Sequence, residues 1–288
     1  MWPVIYDFGI ISFLGFEFHL AIYSYGFMLV VAFYTCYALL LKEVRRLGYG
    51  DKLASDILTA AAIGGIVGSK IYYLVENFDR VVVDPIGMIF SGAGLVFLGG
   101  LMGGTMGVTI ALKKNDLPWL TFADIVAPLL ILGYGIGRVG CFMVGDDYGL
   151  PTKSFIGMTF ENGAPPTMYE SFTYNYPLVD LSGWDPGDVI TVFPTQIMET
   201  IIGFGIFYFL WNKRKTVMVK GSLFFTYLIF AGIERFCIEF IRINPKYIWI
   251  VQPVFGLSGA QLISIIMMGV GTYFIVKPPQ VSETKPVN

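Results

Sequence analysis

Two arginines lie inside apolar stretches of the chain, where a buried charge costs about 2.5–3.5 kcal/mol by insertion scales and so needs a partner or a purpose. The first sits in Gly137-Arg138-Val139-Gly140-Cys141-Phe142, followed by Asp146 and Asp147. Glycine at this density lets backbone approach a ligand, and a guanidinium offers a planar fork to a phosphate. The same spacing also fits a helix end breaking into a loop, with Arg138 snorkelling or paired to Asp146. The second, Arg235, belongs to Glu234-Arg235-Phe236-Cys237-Ile238-Glu239-Phe240-Ile241-Arg242. Here Arg235, Glu239 and Arg242 fall at i, i+4 and i+7, one stripe of a helix. Such an Arg–Glu–Arg row suits an anionic headgroup beside one proton-handling acid. It also suits a plain interfacial ion pair.

Other polar groups enter apolar runs at Gln196 and Glu199, just after Pro194, and at Tyr25. The run from Ser91 to Gly104 holds six glycines, Gly99 and Gly100 among them; close helix packing is the ordinary reason for such residues, as for Gly64/Gly68 and Gly133/Gly137.

The elements that must position these groups are membrane spans. Of 288 residues, 55% are hydrophobic, 16% aromatic and only 14% charged, about half the charge of a soluble domain. The net charge of −2 offers no basic face for nucleic acid. One histidine, His19, excludes a multi-histidine metal centre, and Cys36, Cys141 and Cys237 show neither metal-ligand nor disulfide-framework spacing. Seven apolar runs are expected to cross the bilayer as helices, near 20–41, 56–75, 87–112, 119–144, 194–211, 221–241 and 258–276. Twelve of the 19 Lys and Arg then share one side: Lys42, Arg45, Arg46, Lys52, Lys113, Lys114, Lys213, Arg214, Lys215, Lys220, Lys277 and Lys285. That bias places the N-terminus outside and the C-terminus in the cytoplasm.

The expected architecture is an all-α polytopic membrane protein: helices 1–4 over 1–144, an extracytoplasmic cap over 145–192, helices 5–7 over 193–277, and a disordered cytoplasmic tail over 278–288. Short alternating stretches, Ser154 to Phe160 and Val189 to Val192, give the cap some β character.

Read in order, these segments resemble the bacterial prolipoprotein diacylglyceryl transferase family. The likeness runs from Tyr23-Ser24-Tyr25-Gly26 through Gly68-Ser69-Lys70, the glycine-rich third span, Gly137-Arg138-Val139-Gly140, Pro194-Thr195-Gln196 with Glu199, and Arg235 to Arg242, to Leu257-Ser258-Gly259-Ala260-Gln261. It implies an enzyme of the bacterial inner membrane that moves the diacylglyceryl group of phosphatidylglycerol to the thiol of a lipobox cysteine. Glycerol 1-phosphate leaves, and neither metal nor soluble cofactor takes part. The implied partners are phosphatidylglycerol, prolipoproteins and the surrounding lipids.

The chain departs from the family pattern at Cys141 (an asparagine there), Asp146 (a glutamate), and Leu98 and Phe193 (histidines). The expected catalytic set is Arg138, Arg235, Glu239, Asp146 and Tyr25. The expected headgroup contacts are Arg138, Arg235, Arg242, Gly140, Cys141, Gly99, Gly100 and Gln196. The arginines would hold the phosphate, Glu239 or Asp146 would take the thiol proton, and Tyr25 would orient the ester end. Two other readings fit the same residues: a diverged lipid-binding relative that acts on another nucleophile or none, and a transporter or channel. The lack of an inverted repeat counts against the last.

Overall fold

A computed structural model describes residues 1–13, 16–90, 96–216, 219–243 and 257–279. The chain is mostly helical. In order come α1 (Ser24–Arg46), α2 (Asp51–Glu76), α3 (Phe78–Val83), α4 (Pro85–Phe90), α5 (Phe97–Lys114), α6 (Trp119–Val144), α7 (Tyr169–Asn175), α8 (Thr195–Lys213), α9 (Ser222–Ile238) and α10 (Gly259–Val276). By length and composition α1, α2, α6 and α10 can cross a membrane. The sequence readings on 91–95, 244–256 and the tail from 280 lie outside the described residues.

The all-helical expectation is corrected at the N-terminus. Strands β1 (Val4–Phe13) and β2 (Phe16–Tyr23) pair antiparallel, Tyr6 opposite Ile22 and Ile10 opposite His19. Residues 20–23, expected to open the first span, close this hairpin instead. Apolar content alone cannot separate a β-prone run of aromatic and branched residues from the start of a helix. The helix begins at Ser24, whose N–H donates to Pro3 O (3.0 Å) and whose hydroxyl donates to Trp2 O.

The chain divides into two compact units. In residues 37–125, α2 and α5 approach backbone to backbone because their facing positions are glycine. A Cβ on Gly103 would lie 2.1 Å from Gly64 O, and one on Gly68 would lie 2.3 Å from Gly99 O. Where helices gain nothing from leaving lipid for each other, such close packing supplies the attraction. The far end of α1 is tied in by Arg45, whose Nε and Nη2 donate to the Asp51 carboxylate at 2.7 and 2.6 Å.

The other unit holds residues 1–36 and 126–281. Gly232 of α9 lies against α10, where a Cβ would come 2.9 Å from Ser264 O. Ile131, Leu210 and Leu223 form a buried cluster joining α6, α8 and α9. Between α6 and α8 the chain folds on its own core of Tyr148, Phe160, Phe172, Ile190 and Val192. Its β character is limited to isolated bridges, with Pro151 and Met158 both opposite Val192 and Met168 opposite Val189.

Candidate active site

Three guanidiniums and three carboxylates converge in this unit, each brought by a different turn of chain. α6 carries Arg138 on its last turns and stops at Gly145, whose φ of +74° favours glycine. A side chain there would also come 2.8 Å from Gly163 Cα. The chain thereby turns Asp146 and Asp147 back towards Arg138. The start of α8 fixes that turn: Gln196 Nε2 donates to Asp146 O (2.5 Å) and Thr195 Oγ1 to Asp147 O (2.8 Å). Backbone pairing of Gly149 with Phe193 ties the same loop to the lead-in of α8, and that of Leu150 with Ile241 ties it to the turn after α9.

Glu199, one turn beyond Gln196 and fully buried, is the centre of the cluster. Arg138 Nε lies 3.1 Å from its Oε2; Arg235 Nη1 and Arg242 Nη1 lie 3.7 and 3.9 Å from its Oε1. Asp147 spans two of the same arginines, Arg138 Nη1 on Oδ2 and Arg242 Nη2 on Oδ1, each at 2.8 Å. Arg235 Nη2 holds Glu239 Oε2 at 2.8 Å. Glu239 Oε1 in turn accepts from Ser258 Oγ at 2.7 Å, at the capping box that opens α10.

The expected Arg–Glu–Arg stripe is corrected in one respect. α9 ends at Ile238, and residues 239–241 tighten into a turn closed by Ile241 N–H on Ile238 O (3.0 Å). Arg242 therefore leaves the helical row and pairs its backbone with Gly149. The turn still delivers its guanidinium to Asp147 and Glu199.

Consecutive acids differ sharply here. Asp147 is held below the usual carboxylate range: burial alone would raise it, and Arg242 and Arg138 together overcome that. Asp146 is pushed up to about 6, by burial first and then by the charge on Asp147. Its Oδ1 is buried without a hydrogen-bond partner among the described residues. An acid that ionises near neutrality is fitted to accept a proton. Cys141 Sγ lies within 4.8 Å of both aspartates. Both oxygens of Asp147 are already occupied by guanidiniums, so the trio is better read as an ion-pair edge than a metal centre.

Most of the expected residues meet in this unit. Tyr25, in the first turn of α1, stands over Gly140, where a Cβ would come 3.3 Å from its ring. Cys141 is buried with Arg138 Nη1 3.7 Å from its sulfur. Gln196 anchors the loop, and its Oε1 is buried without a partner among the described residues. Gly99 and Gly100 belong to the other unit, where they pack on α2 beside Gly68 and Ser69.

The sequence reading missed Asp147 as the partner of Arg138, Glu199 as the hub, and Tyr134 and Glu234 altogether. Tyr134 OH lies 2.9 Å from Glu199 Oε1 and 3.2 Å from Glu234 Oε1. An available signal was that Glu199 and Glu234 are acids within apolar helices and so need a partner as much as the arginines do.

Comparison with known proteins identifies the family. A family profile described as prolipoprotein diacylglyceryl transferase matches residues 13–277. A phosphatidylglycerol–prolipoprotein diacylglyceryl transferase of Clostridium tetani is 32% identical, covering 89% of this chain and 93% of its own length. A second from Clostridium perfringens is 34% identical over 94% and 97%. One from Leptospira interrogans is 27% identical over 88% of each. Shared length as well as shared residues therefore make this chain a member of the prolipoprotein diacylglyceryl transferase family.

Proposed function

We propose that the protein transfers the diacylglyceryl group of phosphatidylglycerol to the thiol of a lipobox cysteine in prolipoproteins, the first step of lipoprotein maturation. The observation that carries the assignment to this site is the convergence of Arg138, Arg235 and Arg242 on Glu199, all within 3.9 Å of its carboxylate. Three guanidiniums at the ends of apolar helices suit a phosphodiester that arrives from lipid. In water-poor surroundings they stabilise the second negative charge that builds as the phosphate leaves. In the transfer the cysteine sulfur forms a bond to the glyceryl carbon, the bond from that carbon to the phosphate oxygen breaks, and glycerol 1-phosphate departs. The thiol must lose its proton to attack. Asp146, beside Cys141 and lifted towards neutrality, is suited to take it. Tyr25, over Gly140, would orient the ester end.

The same reading puts seven helices across the inner membrane, the N-terminus outside and the C-terminus in the cytoplasm. The lysines and arginines that end α1, α5 and α8 support this direction. Residues 145–192, with their own aromatic core, would cap the site on the outer face, where the prolipoprotein arrives.

The test is to incubate purified protein with labelled phosphatidylglycerol and a lipobox peptide. A thioether-linked diacylglyceryl peptide and free glycerol phosphate are expected, both lost in Arg138→Ala. Saturable lipid binding without product would mean a phosphate site that serves a different reaction.

A further inference from the structure

Tyr134 lies at hydrogen-bond distance from two buried glutamates, Glu199 Oε1 at 2.9 Å and Glu234 Oε1 at 3.2 Å. A tyrosine hydroxyl carries one proton, so it donates to one carboxylate only. The second contact is a bond only if that carboxyl carries a proton and donates to the phenol oxygen. The arginines decide which acid this is. Glu199 faces three guanidiniums within 3.9 Å, whereas no lysine or arginine among the described residues comes within salt-bridge distance of Glu234. Two ionised carboxylates around one hydroxyl, one of them unpaired and nearly dry, would be a costly arrangement. The charged groups around Glu234 are Arg138 and Tyr134 from α6, Glu199 from α8, and Arg235 and Tyr227 from its own helix. α10 brings only Tyr273, level with Phe225 and far along the helix.

We propose that Glu234 holds a proton in reserve and supplies it, through the Tyr134 hydroxyl and Glu199, to the leaving phosphate. This rests on the transferase reading above. A shift along the chain moves one proton from Glu234 to Tyr134 oxygen and one from Tyr134 to Glu199, leaving the hydroxyl intact. Glu199 is then neutral as the second negative charge builds on the phosphate, which removes a like-charge repulsion in the transition state. As the carbon–oxygen bond breaks, Glu199 gives its proton to the departing oxygen. The proton lost by the attacking thiol later restores Glu234, so the net transfer is from sulfur to phosphate oxygen. Glu234 touches no substrate and acts through Tyr134 and Glu199.

Two measurements test this on the purified full-length protein, isotope-labelled at glutamate carboxyls and held in ester-free detergent. Infrared difference spectra at neutral pH should contain a carboxylic-acid carbonyl band that Glu234→Gln removes and Tyr134→Phe keeps. Steady-state transfer from phosphatidylglycerol to a lipobox peptide should show kcat lowered about 10²-fold in both variants, the usual scale of a lost proton donor. KM for the lipid should stay within a factor of about two, since ground-state binding is untouched. The alkaline fall in wild-type kcat should be absent from both. A Glu234→Gln protein with wild-type kcat and pH profile overturns the relay, as does a spectrum in which no acid band depends on Glu234. If Glu234→Gln fails to fold, Tyr134→Phe carries the same kinetic test. A wild-type protein that transfers nothing overturns the functional reading and the relay's purpose with it, while the infrared band reports separately whether Glu234 holds the proton.

Discussion

Asp146 and Asp147 are adjacent, yet Asp147 binds two guanidiniums at 2.8 Å and Asp146 binds none within salt-bridge distance among the described residues. The strongly ionised neighbour is a poor base because its arginines hold the carboxylate in its charged form. Asp146 is the better acceptor. Its ionisation near pH 6 leaves it charged through the neutral range and proton-bound below. Activity should therefore fall on acidification through about that value, as the base form is lost. Asp146→Asn should lower kcat about 10²-fold and flatten this acid limb, since an amide keeps the size of the side chain but accepts no proton at these pH values. The pH profile of kcat/KM for wild type and variant is the measurement. An acid limb that survives in Asp146→Asn would move the base elsewhere, with Glu239 the next group to test.

At the scale of elements, the α2–α5 contact is set by glycines that leave no room for a side chain. Gly103→Leu would drive a Cβ to 2.1 Å from Gly64 O, backbone that cannot swing away. The variant should lose at least the roughly 1–3 kcal/mol typical of overpacking, read as a lower thermal midpoint in detergent. Gly205→Ala in α8, where a Cβ meets nothing within 4 Å, is the control and should leave the midpoint nearly unchanged. A Gly103→Leu protein as stable as the control would mean the two helices need not touch. The long helices were legible in the sequence because their apolar runs are long enough to span and most end in basic residues or glycine, as at Lys42, Lys113 and Gly145. The hairpin was not, since its closing residues Leu20–Tyr23 are as apolar as the span they precede. Arg138, Arg235 and Arg242 were legible as charges out of place in lipid. Glu199 was passed over as one polar residue at a helix start, although pairing three arginines needs a convergence that no local spacing reveals. The Arg242 stripe failed for the opposite reason: its helical spacing was sound, but the helix stops at Ile238.

At the scale of the whole molecule, α1 and α8 each carry a site residue at one end and basic residues at the other. Arg45 and Arg46, Lys113 and Lys114, and Lys213 stand in the last turns of α1, α5 and α8. There they complement the negative end of the helix dipole, and in the proposed orientation they would face the cytoplasm. Tyr25 begins α1, Gln196 begins α8, and Ser258 caps α10. Arg138 and Glu239 lie near the finishing ends of α6 and α9, helices that run the other way in a seven-span arrangement. Every one of these site residues is then on the outer side, where the prolipoprotein would be presented. Orientation is thus a condition of the chemistry, and it can be measured without any activity assay. In a Cys237→Ser background, Asp180→Cys marks the cap and Thr216→Cys marks the turn after α8. A membrane-impermeant maleimide should label position 180 on spheroplasts and position 216 only after permeabilisation. The reverse pattern would put the arginine cluster on the cytoplasmic face, out of reach of a translocated prolipoprotein. Labelling of both from outside would mean that α6 and α8 lack the intervening geometry that brings Arg138 and Glu199 to one membrane face.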